Sequence, residues 1–125
     1  MWNAPSKERM QRIPELYTTE QTPLKDKLIY LHFFIGWCDW YVAESDGYGD
    51  FWGFVILNGD YENAEWGYFT LTELEQISIQ GIEVDCELEE VWKVVPAYKV
   101  SKIARANDWF NLNEVATNLS SCEEV

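Results

Sequence analysis

Leu28-Ile29-Tyr30-Leu31-His32-Phe33-Phe34-Ile35-Gly36-Trp37-Cys38-Asp39-Trp40-Tyr41-Val42-Ala43-Glu44 is the stretch on which the fold turns. β-Branched and aromatic residues flank a single Gly-Trp pair, the composition of two strands joined by a tight turn. A two-residue turn at Gly36-Trp37 fixes the register: Ile35 faces Cys38, Phe34 faces Asp39, and His32 faces Tyr41. Cross-strand partners share a face of the sheet. Ile29, Leu31, Phe33, Ile35, Cys38, Trp40 and Val42 therefore make one apolar face, suited to a core. Leu28, Tyr30, His32, Phe34, Asp39 and Tyr41 make the other, apolar with polar tips.

Outward from this hairpin, residues 51–57 read as a third strand that is apolar on both sides. Either Trp52, Phe54 and Ile56 or Phe51, Val55 and Leu57 must then join the second face. Asn58-Gly59 opens a turn, and residues 64–69 read as a fourth strand. At Thr70 the period changes: Thr70 and Glu73 fit a capping box, with Phe69 and Leu74 placed as a hydrophobic staple over a short helix. Residues 80–88 return to alternation, with Ile82, Val84, Cys86 and Leu88 on one side and Glu83, Asp85 and Glu87 on the other, as in a fifth strand with one solvated face. Near the start, residues 6–13 read as a short helix capped by Ser6, with Met10, Ile13 and Tyr17 on one stripe. Residues 100–106 read as helical. The expected fold is α+β, an antiparallel sheet of about five strands with short helices packed mainly on one face. Residues 1–98 form a single domain, and residues 99–125 a C-terminal helical or partly frayed extension. Helices this short cover one sheet face more readily than two, so the aromatic face must meet the chain's own C-terminal segment, a second copy or a partner. Trp109-Phe110 suit the first of these roles.

The chain has 125 residues, 47% of them hydrophobic, which is enough for one domain with a real core. No apolar run approaches the roughly 18 residues of a membrane span. The opening residues lack the basic-then-apolar pattern of a secretory leader, so a cytoplasmic setting is expected. Cys38, Cys86 and Cys122 are odd in number and far apart, which reads as reduced thiols rather than a disulfide or zinc framework.

The net charge is −13, and its placement says more than its size. The 65 residues from Leu28 to Trp92 hold fourteen carboxylates and not one Lys or Arg. All nine basic residues lie in the flanks, which come out near neutral and read as bystanders to the charge. Such a field repels nucleic acid and anionic membranes and attracts basic partners. Crowded carboxylates of one sign are expected to repel, raising their folded pKa values and favouring stability near pH 5 over pH 8.

Several segments resemble a small bacterial family. They are Ile13-Pro14-Glu15-Leu16-Tyr17, Leu31 to Gly36, Asp39 to Glu44, Phe51-Trp52-Gly53-Phe54, Asn58-Gly59-Asp60, Glu65-Trp66-Gly67-Tyr68-Phe69 and Leu71-Thr72-Glu73-Leu74. The family is a domain of unknown function carried on plasmids, phages and other mobile elements. The resemblance covers about residues 1–93, and Glu65 to Phe69 is its most specific part. It implies a cytoplasmic setting and a link to mobile DNA, and brings no chemistry to carry over.

Three constellations are candidates for function. His32, the only histidine, shares a face with Asp39, close enough for the carboxylate to orient the ring. Cys38 lies on the opposite face, so a Cys–His dyad fails, and a His–Asp pair without a nucleophile points away from catalysis. The loop Asp46-Gly47-Tyr48-Gly49-Asp50 lacks the alternating ligand ladder of a calcium loop and reads as a solvated turn. Glu83, Asp85, Glu87 and Glu89 project to one side of a strand at about 6.6 Å spacing, and Glu90 extends the row. That line of charge reads either as a solvated edge or as an imitation of a phosphate backbone.

The sequence thus points to a small non-catalytic acidic interaction protein of a mobile element. Its surface would be Asp60, Glu62, Glu65, Glu83, Asp85, Glu87, Glu89 and Glu90, and its partner a basic protein such as a nucleic-acid-handling or host defence protein. No cofactor, metal, direct nucleic-acid contact or membrane contact is expected. The alternative is a small-molecule or peptide-binding domain that uses the aromatic face of Tyr30, His32, Asp39, Tyr41 and Trp52, with weak enzymatic chemistry at His32 and Asp39. A homodimer through that face is a third reading.

Overall fold

A computed structural model describes residues 1–109. Its centre is a five-stranded antiparallel sheet, and the 28–44 hairpin is its spine. In chain order the elements are α1 (Lys7–Gln11), β1 (Leu28–Ile29), β2 (Leu31–Ile35), β3 (Cys38–Ser45), β4 (Asp50–Ile56), β5 (Glu65–Thr70), α2 (Leu71–Glu75), β6 (Ser78–Ile79), β7 (Ile82–Glu83), β8 (Asp85–Cys86), β9 (Val95–Pro96) and α3 (Ser101–Ala106). The sheet runs β5-β4-β3-β2-β8, with β5 and β8 at its edges. The fold is α+β, and the hairpin register follows the Gly36-Trp37 turn, with Ile35 opposite Cys38 and His32 opposite Tyr41. Gly36 takes a positive φ of 52°, which glycine tolerates in such a turn.

Two cores lie on the two faces of this sheet. Leu31, Phe33, Ile35, Trp40, Val42, Phe51 and Phe69 fill the first, closed by Met10 and Ile13 from the N-terminal segment and Leu74 from α2. Tyr41, Phe54 and Ile56 fill the second, closed by Ala97, Val100 and Ile103. Strand β4 thus sends Trp52, Phe54 and Ile56 to the second face, the first of the two options its composition allowed. α1 and α2 serve the first face, and α3 the second. Burying a side chain of this size contributes about 1.5–3 kcal/mol, so the short C-terminal helix is held by its Ile103 rather than by its own six residues.

Local signals set the helix starts. Ser6 Oγ accepts from Arg9 N at 3.0 Å, and Thr70 Oγ1 accepts from Glu73 N at 3.0 Å. Tyr17, by contrast, leaves the stripe expected for it: Met10 and Ile13 are buried and Tyr17 is exposed.

Three strand readings are corrected. The first expected strand breaks at Tyr30, so Ile29 turns to the second core and pairs with Val95 in a small separate ladder. The fifth strand expected over 80–88 is two short pieces: β7 turns back to pair with β6 in a separate hairpin, and only β8 joins the sheet, opposite Phe33 and Phe34. Gln80 and Gly81 at the tip both have positive φ, and that turn takes Ile82 out of the sheet and leaves it exposed. Finally, β3 carries a bulge: Val42 pairs with Gly53, but Glu44 pairs with Trp52, leaving Ala43 as the extra residue. Beside it, Gly53 approaches β3 so closely that a Cβ there would meet the Tyr41 carbonyl oxygen at 1.7 Å.

Candidate functional site

The acidic row is where the structure departs most from the linear pattern. Each of its four alternating carboxylates already has a donor. Glu83 accepts from the Met1 amino group. Asp85 accepts from Asn3 N and Asn3 Nδ2, both at 2.8 Å. Glu87 Oε1 lies 2.8 Å from His32 Nδ1, and Glu89 accepts from Arg12 at 2.7 Å. Arg9, buried, donates to the Glu87 carbonyl oxygen at 2.8 Å. The N-terminal flank is therefore no bystander: it supplies the Met1 ammonium to Glu83, the Asn3 amides to Asp85 and the Arg12 guanidinium to Glu89. Glu90 stays exposed.

The aromatic face is also occupied. His32 is only 9% exposed, with its ring stacked on Tyr41 at 4.5 Å and tilted against Trp92 at 5.3 Å. Its Nε2 lies 2.7 Å from Asp39 Oδ1, and Asp39 Oδ2 accepts from Lys102 of α3 at 3.0 Å. Each ring nitrogen faces a carboxylate, which can only accept, so both contacts are hydrogen bonds when both nitrogens carry protons. Burial pushes the Asp39 carboxyl up, but the bonds from His32 and Lys102 outweigh it and leave the group below its ordinary value. Burial pushes the Tyr41 phenol far above its usual range. This network locks α3 onto the sheet. Trp52 keeps to this face, stacked on Trp66 at 5.2 Å, but Tyr30 does not: the break in the first strand turns it against the first core, half-buried beside Arg9 and Arg12. Trp109 packs on the second core; Phe110, paired with it in the sequence reading, lies outside the described residues.

Neither thiol among the described residues is poised for chemistry with His32; Cys122 lies outside them. Cys38 packs toward the first core, and burial pushes the Cys86 thiol up to about 11, the opposite of an activated cysteine. Asp46 closes its own loop, accepting from the backbone N–H of Tyr48, Gly49 and Asp50. Burial pushes Asp46 up and those donors outweigh it, so it too lies low. The Asn63 side chain holds Asp60 low, and the Arg12 guanidinium holds Glu89 low. The expected upward displacement of crowded carboxylates is thus reversed at all four groups, because each has a donor at hand.

Asp60 and Glu65 have a different setting from the 83–89 row. They line an open cleft of about 460 Å³ at the β4–β5 end of the sheet, together with Val55, Leu57, Asn63 and Tyr68. Glu62 is exposed in the same loop. Asp60 is fixed by Asn63 N and Nδ2, at 3.2 and 2.7 Å, and no basic side chain among the described residues lines the cleft. Apart from exposed Glu90, the acidic positions singled out in the sequence therefore divide into an engaged row beside β8 and an open group beside β5.

Two charged residues escaped the sequence reading. Lys27 and Glu44 are both buried, 4.0 Å apart, and the Lys27 ammonium sits 5.3 Å from the centre of the Trp52 ring. Glu44 accepts from Tyr17 N at 2.8 Å and Thr19 N at 3.2 Å, and from the Thr19 hydroxyl. Lys27 donates to Thr19 Oγ1 at 2.7 Å and to the Thr19 carbonyl. No helix among the described residues is long and apolar enough to cross a membrane, and none of their His, Cys, Asp and Glu side chains cluster in a group that could hold a metal ion.

No family model matches this chain, and neither does any curated protein or solved structure.

Proposed function

We propose that this chain is a non-catalytic interaction module that binds a basic protein through the open carboxylates at the β4–β5 end of its sheet. The observation that carries the reading is the asymmetry of the acidic residues. The 83–89 row is matched by internal donors, whereas Asp60 and Glu65 line a cleft that holds no cation of its own. A single-sign patch next to exposed Leu57 and Tyr68 combines electrostatic steering with apolar area, as interaction surfaces do. The partner chemistry this favours is a groove rich in Lys and Arg, of the kind that otherwise holds a nucleic-acid backbone. The resemblance to a family of mobile elements supports a host defence or DNA-handling protein as the source of such a groove.

The test is affinity capture on immobilised chain at 50 and 500 mM salt, estimates chosen to span the screening range, beside the triple variant Asp60→Asn, Glu62→Gln, Glu65→Gln. Partners that are basic, elute with salt and are lost by the variant are expected. Partners retained equally by the variant would sink the reading.

A further inference from the structure

A second cleft, of about 470 Å³, opens on the other side of β5 between the 17–24 segment and the sheet. Tyr68 lines both clefts, so they lie on either side of one edge-strand residue. Glu44, Trp52 and Tyr68 form one row across β3, β4 and β5, each directly opposite the next. Glu44 then reaches up to hold the backbone N–H of Tyr17. Tyr17 pays for that position with a left-handed backbone, φ 70°, which a bulky side chain rarely adopts. The result is an aromatic pair at the mouth of the cleft: the Tyr17 and Tyr68 rings are 6.1 Å apart and tilted by 48°, and both are more than half exposed, at 63% and 60%. Hydrogen bonding to Tyr17 pushes the Tyr68 phenol up to about 12, so this ring stays neutral across the physiological range.

The charge inside is lopsided. Glu20 and Glu44 line the cleft against Lys27 alone, and Lys27 already donates to Thr19. Anions therefore find no free cation here, whereas a cation finds two tyrosine faces and the Glu20 carboxylate. We infer that the Tyr17–Tyr68 cleft takes one Lys or Arg side chain of the basic partner, while neighbouring basic residues of the same segment meet Asp60 and Glu65. This rests on the acidic reading above and adds to it an anchor.

The experiment is a fluorescence titration of the chain with two ten-residue peptides, one alternating Lys and Ala, the other Glu and Ala, at low salt. The lysine peptide is expected to bind and the glutamate peptide to give no signal. Tyr17→Gly keeps the left-handed backbone and removes the ring; with it, or with Tyr68→Ala, affinity should fall about tenfold, the worth of a partly desolvated cation–π contact. Tyr17→Phe and Tyr68→Phe should stay within about threefold of the parent, because the ring face is kept. Should Tyr17→Gly fail to fold, Tyr68→Ala and Glu20→Gln still decide the matter. Undiminished binding by the ring-deleted variants, with loss in the Asp60, Glu62 and Glu65 triple variant, overturns the cleft and leaves the acidic surface standing. No binding of the lysine peptide by the parent chain overturns both.

Discussion

Asp39 bridges His32 and Lys102, one carboxylate oxygen 2.7 Å from the imidazole Nε2 and the other 3.0 Å from the ammonium. The carboxylate belongs to the central hairpin and the ammonium to the C-terminal helix, so this one side chain ties the last described element to the sheet. Removing its charge leaves both partners facing a weaker acceptor. Asp39→Asn should cost about 1–3 kcal/mol, as loss of a buried charged acceptor does. Urea unfolding followed by tryptophan fluorescence measures it, and an unchanged midpoint would show that the bridge is incidental.

Acid should act through the same residue. The folded pKa of Asp39 lies below its ordinary value of 3.8. Its stabilisation is therefore complete above the ordinary value and is lost as pH falls through the lowered one. Asp46, Asp60 and Glu89 are displaced in the same direction. Melting temperature should fall steadily as pH drops below about 4, and the Asp39→Asn variant should show a shallower acid limb. A melting temperature that rises between pH 4 and pH 3 would contradict this.

Glycines 53 and 67 face each other across β4 and β5 but should respond in opposite ways. A Cβ on Gly53 would lie 1.7 Å from the Tyr41 carbonyl oxygen, a backbone atom that cannot step aside, while one on Gly67 meets nothing within 4 Å. Gly53→Ala should cost more than about 3 kcal/mol or abolish folding, since it forces strand separation. Gly67→Ala should be neutral within about 0.5 kcal/mol or slightly stabilising. Thermal melts of the two purified variants decide it.

Ile103 is fully buried in the second core although it sits on a six-residue helix. Ile103→Ala should cost about 2–5 kcal/mol, the range for a large core side chain. Thr70→Ala, which removes only a helix cap, should cost about 1 kcal/mol. Calorimetric melting of both gives the order. Equal losses would mean that α3 is a loosely attached element.

Much of the hairpin was legible because a two-residue turn leaves no freedom of register: once Gly36-Trp37 is the turn, Phe34 must meet Asp39 and His32 must share their face. Capping was legible for a similar reason, since Thr70 and Glu73 are three residues apart and act locally. The pairing of the acidic row was not. Its donors Asn3 and Arg12 are 82 and 77 residues away in the chain, and alternation along a strand carries no information about what arrives from that distance. The breaks at Tyr30 and Gln80 were equally hidden, because a strand reading by side-chain type does not see a positive φ or a change of ladder partner. Lys27 and Glu44 were missed because burial of a charge is decided by the 17–24 segment folding over it.

The extra residue Ala43 decides which side of β3 the residue after it faces. Up to Val42 the even-numbered positions of that strand face the first core; after the bulge, Glu44 pairs with Trp52 and turns to the other side. Were β3 to run on without the bulge, Ala43 would meet Trp52 and Glu44 would take the side of the first core, away from the Tyr17 N–H it now holds. The mouth of the cleft therefore rests on one irregularity of the ladder: a chain whose β3 paired regularly through residue 44 would keep both tyrosines and lose the carboxylate that holds one of them.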